Sequence, residues 1–210
     1  MTTTNNTPSF VFEEQFSGRV AGIDEAGCGP WAGPVVAAAV ILDRDSFPNA
    51  LYDQVKDSKI ISRKKRERIA DILKNHPAVS YGIGHASVEE IDALNISKAT
   101  QLAMQRAVGV LVPRPGYALV DGIRKPPLDI PVQMIIKGDQ QSFSIAAASI
   151  LAKVERDCIM GELDQIYPQY NWKRNAGYGT REHHQAMIHF GITPHHRQSY
   201  APVRVFLVKE

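Results

Sequence analysis

The most constraining feature of this sequence is a pair of acidic residues between two apolar segments. Asp24 and Glu25 follow the short apolar run 20–23 and precede eight apolar residues at 35–42. Both runs have the composition of buried strands. The intervening residues 24–34 include three glycines and two prolines, which predict a structured loop rather than a regular element. The acids therefore stand where a strand gives way to a loop, and ligand sites of open α/β sheets commonly lie beyond strand ends.

Neighbouring strand residues point to opposite faces, so Asp24 and Glu25 reach one site only if the backbone turns at Glu25. The glycines that follow make such a turn feasible. The ordinary alternative for either acid is a turn or helix-cap residue.

Periodicity along the rest of the chain predicts alternating strands and helices. Ser62 is expected to cap an amphipathic helix, Ser87 and Glu90 form a capping-box pattern, and Ser142 or Ser144 precedes a long alanine-rich helix that ends near 166–168. Further strands are expected over 79–86, 117–120 and 132–136, and further helices over 97–110 and 180–190. This alternation is typical of an α/β or α+β fold with a mixed sheet.

The length of 210 residues fits one domain, and 44% hydrophobic with 22% charged residues is the composition of an ordinary soluble globule. Residues 1–17 contain many Thr, Asn, Pro and Ser residues without an apolar period and are expected to form a flexible leader before a single domain over 18–210. No secretory signal and no apolar run near the ~20 residues that span a bilayer is present, so we expect a cytoplasmic protein without membrane contact. The two cysteines exclude a disulfide framework and a cysteine-based zinc site.

The net charge of +2 says little, but the distribution of charge is informative. Residues 56–68 carry seven basic side chains against two acids, and residues 171–208 carry five against one, together with five of the seven histidines. Two basic zones of this kind are suited to flank a polyanion, although a solvated helix face and a basic C-terminal segment explain them equally well.

Two further acids occupy positions that suit a site. Asp121 ends the predicted strand 117–120, where Asp-Gly is also a common turn, and Asp157 lies inside the long helix one turn after Lys153, where an ion pair is the alternative. Four acids at one sheet edge would repel each other unless they shared cations or protons. Oxygen ligands suit Mg²⁺ or Mn²⁺, and two such ions about 3.5–4 Å apart can hydrolyse a phosphodiester.

These acids lie in motifs that resemble bacterial ribonuclease HII. The matching blocks occur in the family's order over roughly 20–202: 22–30, 32–40, 57–59, 120–122, 136–139, 144–154, 156–157, 177–180, 184, 191–194 and 196–197. The resemblance implies a ribonuclease H-like fold, in which helices flank a central mixed five-stranded sheet and a helical C-terminal lobe covers about 165–210. It also implies an endonuclease that cuts the RNA strand of RNA–DNA hybrids and cuts 5′ of single ribonucleotides in duplex DNA, leaving 5′-phosphate and 3′-hydroxyl ends.

The resemblance also implies a role for individual residues. Asp24, Glu25 and Asp121 would hold two divalent cations, Mn²⁺ or Mg²⁺, and Asp157 would serve the second ion or orient water. The glycine-rich loop would read the ribose 2′-hydroxyl through its main chain, and other residues would contact the sugar or the phosphates. The implied substrate-binding residues are Gly27, Cys28, Gly29, Lys59, Lys137 and Tyr178.

Cys28 is a departure from the family, which usually has arginine between the two glycines. A lost guanidinium–phosphate hydrogen bond is worth roughly 1.5–3 kcal/mol, so we expect weaker substrate binding with unchanged chemistry. The thiol itself is interpreted as a small neutral filler, with a redox-sensitive cysteine as the alternative.

The sequence allows three other interpretations of its function. The loop could cradle a nucleotide phosphate, but it lacks the phosphate-binding glycine patterns, and Pro30 and Pro34 oppose a helix there. A non-catalytic nucleic-acid-binding module would explain the basic zones but not the acids. A zinc site is a third alternative, built from His183, His184, His189, His195 and His196. Only 23 residues precede Asp24, which favours ribonuclease HII over ribonuclease HIII with its extra N-terminal domain. We expect a monomer that acts on RNA–DNA hybrid or ribonucleotide-containing DNA, without an obligate protein partner.

Overall fold

A computed structural model describes residues 8–52, 54–55 and 61–207. The strands are β1 (Val20–Ala26), β2 (Val35–Leu42), β3 (Val79–Ala86), β4 (Tyr117–Asp121) and β5 (Val132–Ile135). The helices are α1 (Asn49–Tyr52), α2 (Arg63–Asn75), α3 (Val88–Leu94), α4 (Ile96–Gly109), α5 (Phe143–Ile166), α6 (Trp172–Asn175), α7 (Arg181–Phe190) and α8 (Ala201–Arg204). Ser62, Ser87, Ser142 and Thr180 cap α2, α3, α5 and α7 through their side chains, which confirms the predicted starts.

The five strands form one mixed sheet in the order β3-β2-β1-β4-β5. The first three strands pair antiparallel, whereas β1, β4 and β5 run parallel. Helices α2 and α5 cover one face and α4 covers the other, so the two faces bury separate hydrophobic clusters. The mixed five-stranded sheet flanked by helices confirms the predicted fold class.

Strand β1 meets helix α5 at very short range, and this contact positions the helix. A Cβ at Gly22 would lie 2.2 Å from the backbone nitrogen of Ile145, so only glycine fits here. The close approach fixes α5 across the end of β1 that carries Asp24. The sequence of the first strand therefore determines where the side chains of the long helix project.

Strand β1 is longer than the sequence predicts. It continues through Ala26, whose partner in the β2 ladder is Val36, and so the backbone does not turn at Glu25. Pairing with β4 stops earlier, at Ile23 opposite Val120. The antiparallel ladder with β2 keeps Asp24 and Glu25 in the strand, although the composition of residues 24–34 predicts a loop. The other edge of this segment stays open.

Residues 8–17 differ from the flexible leader expected from composition. Ser9 bridges to Ser142, and Phe10 packs against Tyr52 and Phe143. Oε1 of Glu13 accepts hydrogen bonds from Ser142 Oγ at 2.6 Å, Ser144 Oγ at 2.6 Å and Ser144 N at 3.0 Å. A carboxylate thus sits at the N-terminus of α5, where backbone donors and the helix dipole favour negative charge.

This contact predicts a stability effect. Glu13→Ala is expected to lower the free energy of unfolding by about 1–3 kcal/mol, because it leaves buried donors of α5 unpaired. Glu14→Ala is the matched control, since Glu14 forms only a half-exposed ion pair with Arg44, for which about 0–1 kcal/mol is typical. Urea unfolding measures both, and equal losses in the two variants would contradict the capping role.

Helices α6, α7 and α8 pack around a separate cluster that includes Trp172, Tyr170 and Met187. Ala32 from the glycine-rich segment and Met160 from α5 belong to the same cluster. This arrangement places the C-terminal helices directly beside the loop that follows β1. Among the described residues, no helix is long and apolar enough to cross a bilayer.

Candidate active site

A cavity of about 280 Å³ lies at the C-terminal ends of β1 and β4. Three of the acids predicted to form the site line it, together with the glycine-rich loop and residues of α2, α5 and the segment between α6 and α7. The lining residues are Asp24, Glu25, Ala26, Gly27, Cys28, Gly29, Arg66, Asp121, Ser149, Lys153, Arg156 and Tyr178. Acids and loop residues far apart in sequence are therefore brought to one place.

Asp24 is the most buried acid of the cavity, with 6% of its surface exposed. Its Oδ1 accepts a hydrogen bond from the Glu25 amide at 2.7 Å, and Ser149 on α5 also bonds to the side chain. Burial raises the pKa of Asp24 well above its usual value, and the neighbouring charges of Glu25 and then Asp121 raise it further. The carboxylates of Glu25 and Asp121 thus both repel the carboxylate of Asp24.

Glu25 reaches the same cavity from the other face of β1. Its Oε1 lies 3.5 Å from Cys28 Sγ, which in turn contacts Thr100 on α4, whereas Asp24 faces Ser149 on α5. Two alternating strand residues can share one cavity because β4 no longer covers this edge of β1. An open strand edge therefore replaces the backbone turn that the sequence suggests.

Asp121 closes the third side of the cavity. It is the last residue of β4, and its Oδ1 accepts a hydrogen bond from the Gly138 amide at 2.7 Å. Gly122 follows with φ of +91°, a conformation that glycine adopts without strain, so the chain turns away immediately after the acid. The Asp-Gly pair thus forms a turn and also presents a carboxylate to the cavity.

The donor set fits a hard divalent cation. All three acids offer carboxylate oxygens, the ligands of Mg²⁺ and Mn²⁺, and their mutual repulsion would be relieved by positive charge. In the described part of the chain, no three His, Cys, Asp or Glu side chains lie close enough together to hold one ion as they stand, so binding a shared cation would require these carboxylates to move closer.

Asp157 stands apart from these three acids. Lys153 donates a hydrogen bond to its Oδ1, and Arg66 Nη1 lies 3.7 Å from its Oδ2. Both cations are among the lining residues of the cavity, whereas Asp157 is not. The structure contains the ion pair with Lys153, which is one of the two interpretations of Asp157 that the sequence allows.

Two buried arginines that sequence reasoning missed organise the loop. Arg197 donates to the carbonyl oxygens of Gly27 at 2.6 Å and Cys28 at 3.2 Å. Arg156 donates to the carbonyl oxygens of Ala32, Pro34 and Ala176. Both arginines lie in quoted motif blocks, but nothing in the sequence distinguishes a buried guanidinium from a surface one.

The contacts of Arg197 set the direction of the loop amides. In a trans peptide unit the carbonyl and the following N–H point in opposite directions. Because the carbonyls of Gly27 and Cys28 face Arg197, the N–H groups of Cys28 and Gly29 point away from it. Two successive donors are thereby held in a fixed direction in the wall of the cavity.

The Cys28 side chain is directed inward. Its Sγ lies 3.4 Å from Thr100 Oγ1 and 3.5 Å from Glu25 Oε1. Burial, with a smaller effect of the Glu25 charge, raises the pKa of the thiol to about 12. The thiol therefore stays protonated at neutral pH, as expected of a small neutral filler rather than of a redox-sensitive cysteine.

This burial predicts unequal thiol reactivity. Cys158 is exposed and should react with iodoacetamide in the folded protein, whereas Cys28 should stay unmodified under the same conditions. Mass spectrometry of the alkylated peptides measures both sites, with urea-unfolded protein as the control in which both react. Labelling of Cys28 at the rate of Cys158 in the folded protein would contradict the inward placement.

The remaining candidate substrate residues are distributed unevenly. The Tyr178 side chain is 50% exposed and borders the loop, since a Cβ at Gly29 would lie 3.5 Å from its Cε1. Lys137 is exposed and precedes Gly138, the residue that binds Asp121. Lys59 lies outside the described residues.

Several known proteins are similar to this chain over most of its length. A ribonuclease HII from Rhodospirillum rubrum is 53% identical over 202 residues, which cover 96% of this chain and 93% of that protein. The crystal structure of the ribonuclease H2 from Pyrococcus horikoshii OT3 superposes with a TM-score of 0.76 at 26% identity, covering 90% of this chain and 96% of that one. Bst-RNase HIII in complex with Mn²⁺ shares the fold, with a TM-score of 0.70 at 21% identity over 96% of this chain and 73% of that one.

The family model described as Ribonuclease HII matches residues 21–203, a range that contains all four acids, the loop and Tyr178. This match and the curated relatives confirm the resemblance drawn from the motifs. The chain belongs to the ribonuclease HII family of nucleases.

Proposed function

We propose that this protein is a metal-dependent endonuclease that hydrolyses the RNA strand of RNA–DNA hybrids and cuts 5′ of single ribonucleotides in duplex DNA. The products carry 5′-phosphate and 3′-hydroxyl ends. The observation that supports this most strongly is the shared cavity of Asp24, Glu25 and Asp121 with an oriented glycine-rich loop. Family membership supports the class of reaction.

Asp24, Glu25 and Asp121 hold the divalent cations in this proposal, Mg²⁺ or Mn²⁺, and Asp157 serves the second. The repulsion among the three cavity acids favours cation uptake, and the related Bst-RNase HIII is described in complex with Mn²⁺. When bound, two such ions supply an activated water and stabilise the leaving oxygen. Asp24 and Asp121 each accept a hydrogen bond from a backbone amide, which limits the orientations that the two carboxylates adopt before substrate arrives.

The loop amides supply the selectivity for RNA. A 2′-hydroxyl is the group that distinguishes a ribonucleotide from a deoxyribonucleotide, and backbone donors can bind it without a particular side chain. The N–H groups of Cys28 and Gly29, which point away from Arg197, are the donors in this proposal, and the ring of Tyr178 beside Gly29 packs on the neighbouring sugar. Because residue 28 is cysteine rather than arginine, this loop offers no guanidinium to the phosphates.

Basic residues around the cavity bind the nucleic-acid backbone. Arg66 and Lys153 line the cavity and hold Asp157 between them, so they offset its charge while remaining close to the phosphate path. Lys59 and Lys137 are further phosphate contacts in this proposal. Such contacts position the duplex without reading its sequence. The protein acts as a monomer and needs no protein partner for this reaction.

The test uses a DNA duplex that contains one ribonucleotide. With Mg²⁺ or Mn²⁺, we expect a single cut on the 5′ side of that ribonucleotide, and EDTA should stop cleavage while some binding persists. An all-DNA duplex of the same sequence is the control and should stay intact. Binding without cleavage under every metal condition would instead favour a non-catalytic nucleic-acid-binding module.

A further inference from the structure

Two buried histidines lie beneath Tyr178 and take no part in the site described above. His183 on α7 and His196 after it are both 0% exposed, and their Nε2 atoms lie 3.1 Å apart. No third ligand joins them among the described residues, so they do not form the zinc site considered from sequence. Each nitrogen of a neutral imidazole is either donor or acceptor, and the neighbours determine which.

The partners of His196 fix its proton. The backbone N–H of Thr193 donates to His196 Nδ1 at 3.0 Å, so this nitrogen must accept and carries no hydrogen. The hydrogen of the neutral ring is therefore on Nε2, which donates to His183 Nε2. Trp172 Nε1–H donates to the same atom of His183 at 3.2 Å.

The same logic fixes His183. Because its Nε2 accepts from His196 and Trp172, its hydrogen is on Nδ1. Nδ1 lies 3.0 Å from the carbonyl oxygen of Tyr178, to which it donates. We infer that His183 is a positioning residue for Tyr178, with its tautomer set by His196 and Trp172. This inference rests on the proposed function, in which Tyr178 contacts the sugar.

Tyr178 depends on such a contact because its side chain is poorly held. Half of the residue is exposed, and a glycine stands on each side of it. Gly177 has φ of +79°, and its N–H is bound by the Asn175 side chain at 2.8 Å. On the other side, the Tyr178 carbonyl is held by Thr180 N at 2.8 Å and by His183. The backbone, rather than core packing, determines where the ring lies.

Burial keeps the pair uncharged. It lowers the pKa of His196 to about 3, with a further effect of His183, and it also lowers the pKa of His183. The other titratable groups facing the pair are His184, His195 and Tyr170. A neutral His183 keeps Nε2 as the acceptor for His196 and Trp172 across the neutral pH range, so its single ring hydrogen stays on Nδ1.

Two substitutions at His183 separate positioning from core filling. The amide nitrogen of asparagine lies near the place of Nδ1, whereas the amide of glutamine reaches the place of Nε2. His183→Asn should therefore keep the bond to the Tyr178 carbonyl, and His183→Gln should lose it. If His183 only filled the core and bonded to His196 and Trp172, the glutamine variant would be less impaired than the asparagine variant.

The readout is the ratio of kcat/KM for a single-ribonucleotide duplex to kcat/KM for a uniform RNA–DNA hybrid. We expect His183→Gln to lower this ratio about fivefold to tenfold, the size of one lost hydrogen bond, and His183→Asn to change it less than twofold. In a Tyr178→Ala background the two variants should give equal ratios. If the ratio for His183→Gln equals or exceeds the ratio for His183→Asn while Tyr178→Ala still lowers it, this inference is overturned and the proposed function is not. An unchanged ratio in Tyr178→Ala itself would overturn the proposed role of Tyr178 as well.

Nitrogen-15 chemical shifts of histidine in the unmodified protein give a second measurement that needs no variant. We expect His183 protonated on Nδ1 and His196 on Nε2 at pH 7. Protonation of His183 on Nε2 would overturn the inference, because the Tyr178 carbonyl would then have no donor from the ring.

Discussion

Asp24→Asn and Asp121→Asn are each expected to lower cleavage by at least about 10²–10³-fold, the loss typical of removing one preorganised electrostatic group. Asparagine keeps the Oδ1 that accepts the amide of Glu25 or Gly138, so the fold around each position is preserved. What disappears is negative charge at the proposed cation site. The assay is the rate of cutting at a single ribonucleotide in Mg²⁺ and in Mn²⁺.

Asp24→Asn should also raise the melting temperature in EDTA. The pKa of Asp24 in the folded protein lies above that of the unfolded chain, so the folded state binds the proton more tightly. Ionisation at neutral pH therefore costs folding free energy, and the stabilising contribution of the protonated form is lost as pH rises through the folded-state pKa. Asparagine removes this cost, and the gain should vanish at acidic pH.

Asp164→Asn is the matched control for both measurements. Asp164 lies outside the cavity and accepts the Lys173 amide at 3.1 Å, an acceptor that asparagine retains. Its cleavage rate should stay within about twofold of the unmodified protein, as for surface substitutions away from special features. Loss of cleavage in this variant equal to that in Asp121→Asn would show that the assay does not report on the cavity.

Gly27→Ala is expected to cost about 3 kcal/mol or more of folding free energy, because overpacking and positive-φ strain act together. A Cβ there would lie 2.1 Å from Arg156 Nε and 2.9 Å from the Pro34 carbonyl oxygen, and φ is +103°. Arg156 would have to move and would lose carbonyl contacts that hold the loop. Urea unfolding measures this loss.

Gly29→Ala provides the comparison within the same loop. The nearest atom to its Cβ is Tyr178 Cε1 at 3.5 Å, an ordinary contact, so stability should change by less than about 0.5 kcal/mol. Affinity for the ribonucleotide duplex is expected to fall instead, since the methyl group enters the cavity wall that faces the sugar in the proposed function. Equal destabilisation of the two variants would contradict the assigned role of Arg156 beneath Gly27.

The sequence predicts the fold well where local signals are strong. Serine caps and apolar strand runs predict the strands and the long helix, because these depend on short-range chemistry, whereas the joint role of the three cavity acids is predicted by the resemblance to the family. It fails where tertiary contacts decide. Composition alone cannot show that Glu13 caps α5, or that the β2 ladder carries β1 past Glu25.

The buried polar groups are the larger omission. Arg156 and Arg197 look like surface cations in the sequence, and only the fold shows that loop carbonyls enclose them. The histidine pair likewise depends on side chains from α6, α7 and the segment after α7 meeting in one place. Such networks form between elements distant in sequence, so the periodicity of the sequence does not predict them.

The most direct test of the central claim is the position of bound metal. Crystals of the protein grown with Mn²⁺ can be measured at the manganese absorption edge, where anomalous density identifies the ion. We predict density between the carboxylates of Asp24, Glu25 and Asp121. Density only at other residues, with these three side chains turned away from one another, would contradict the account.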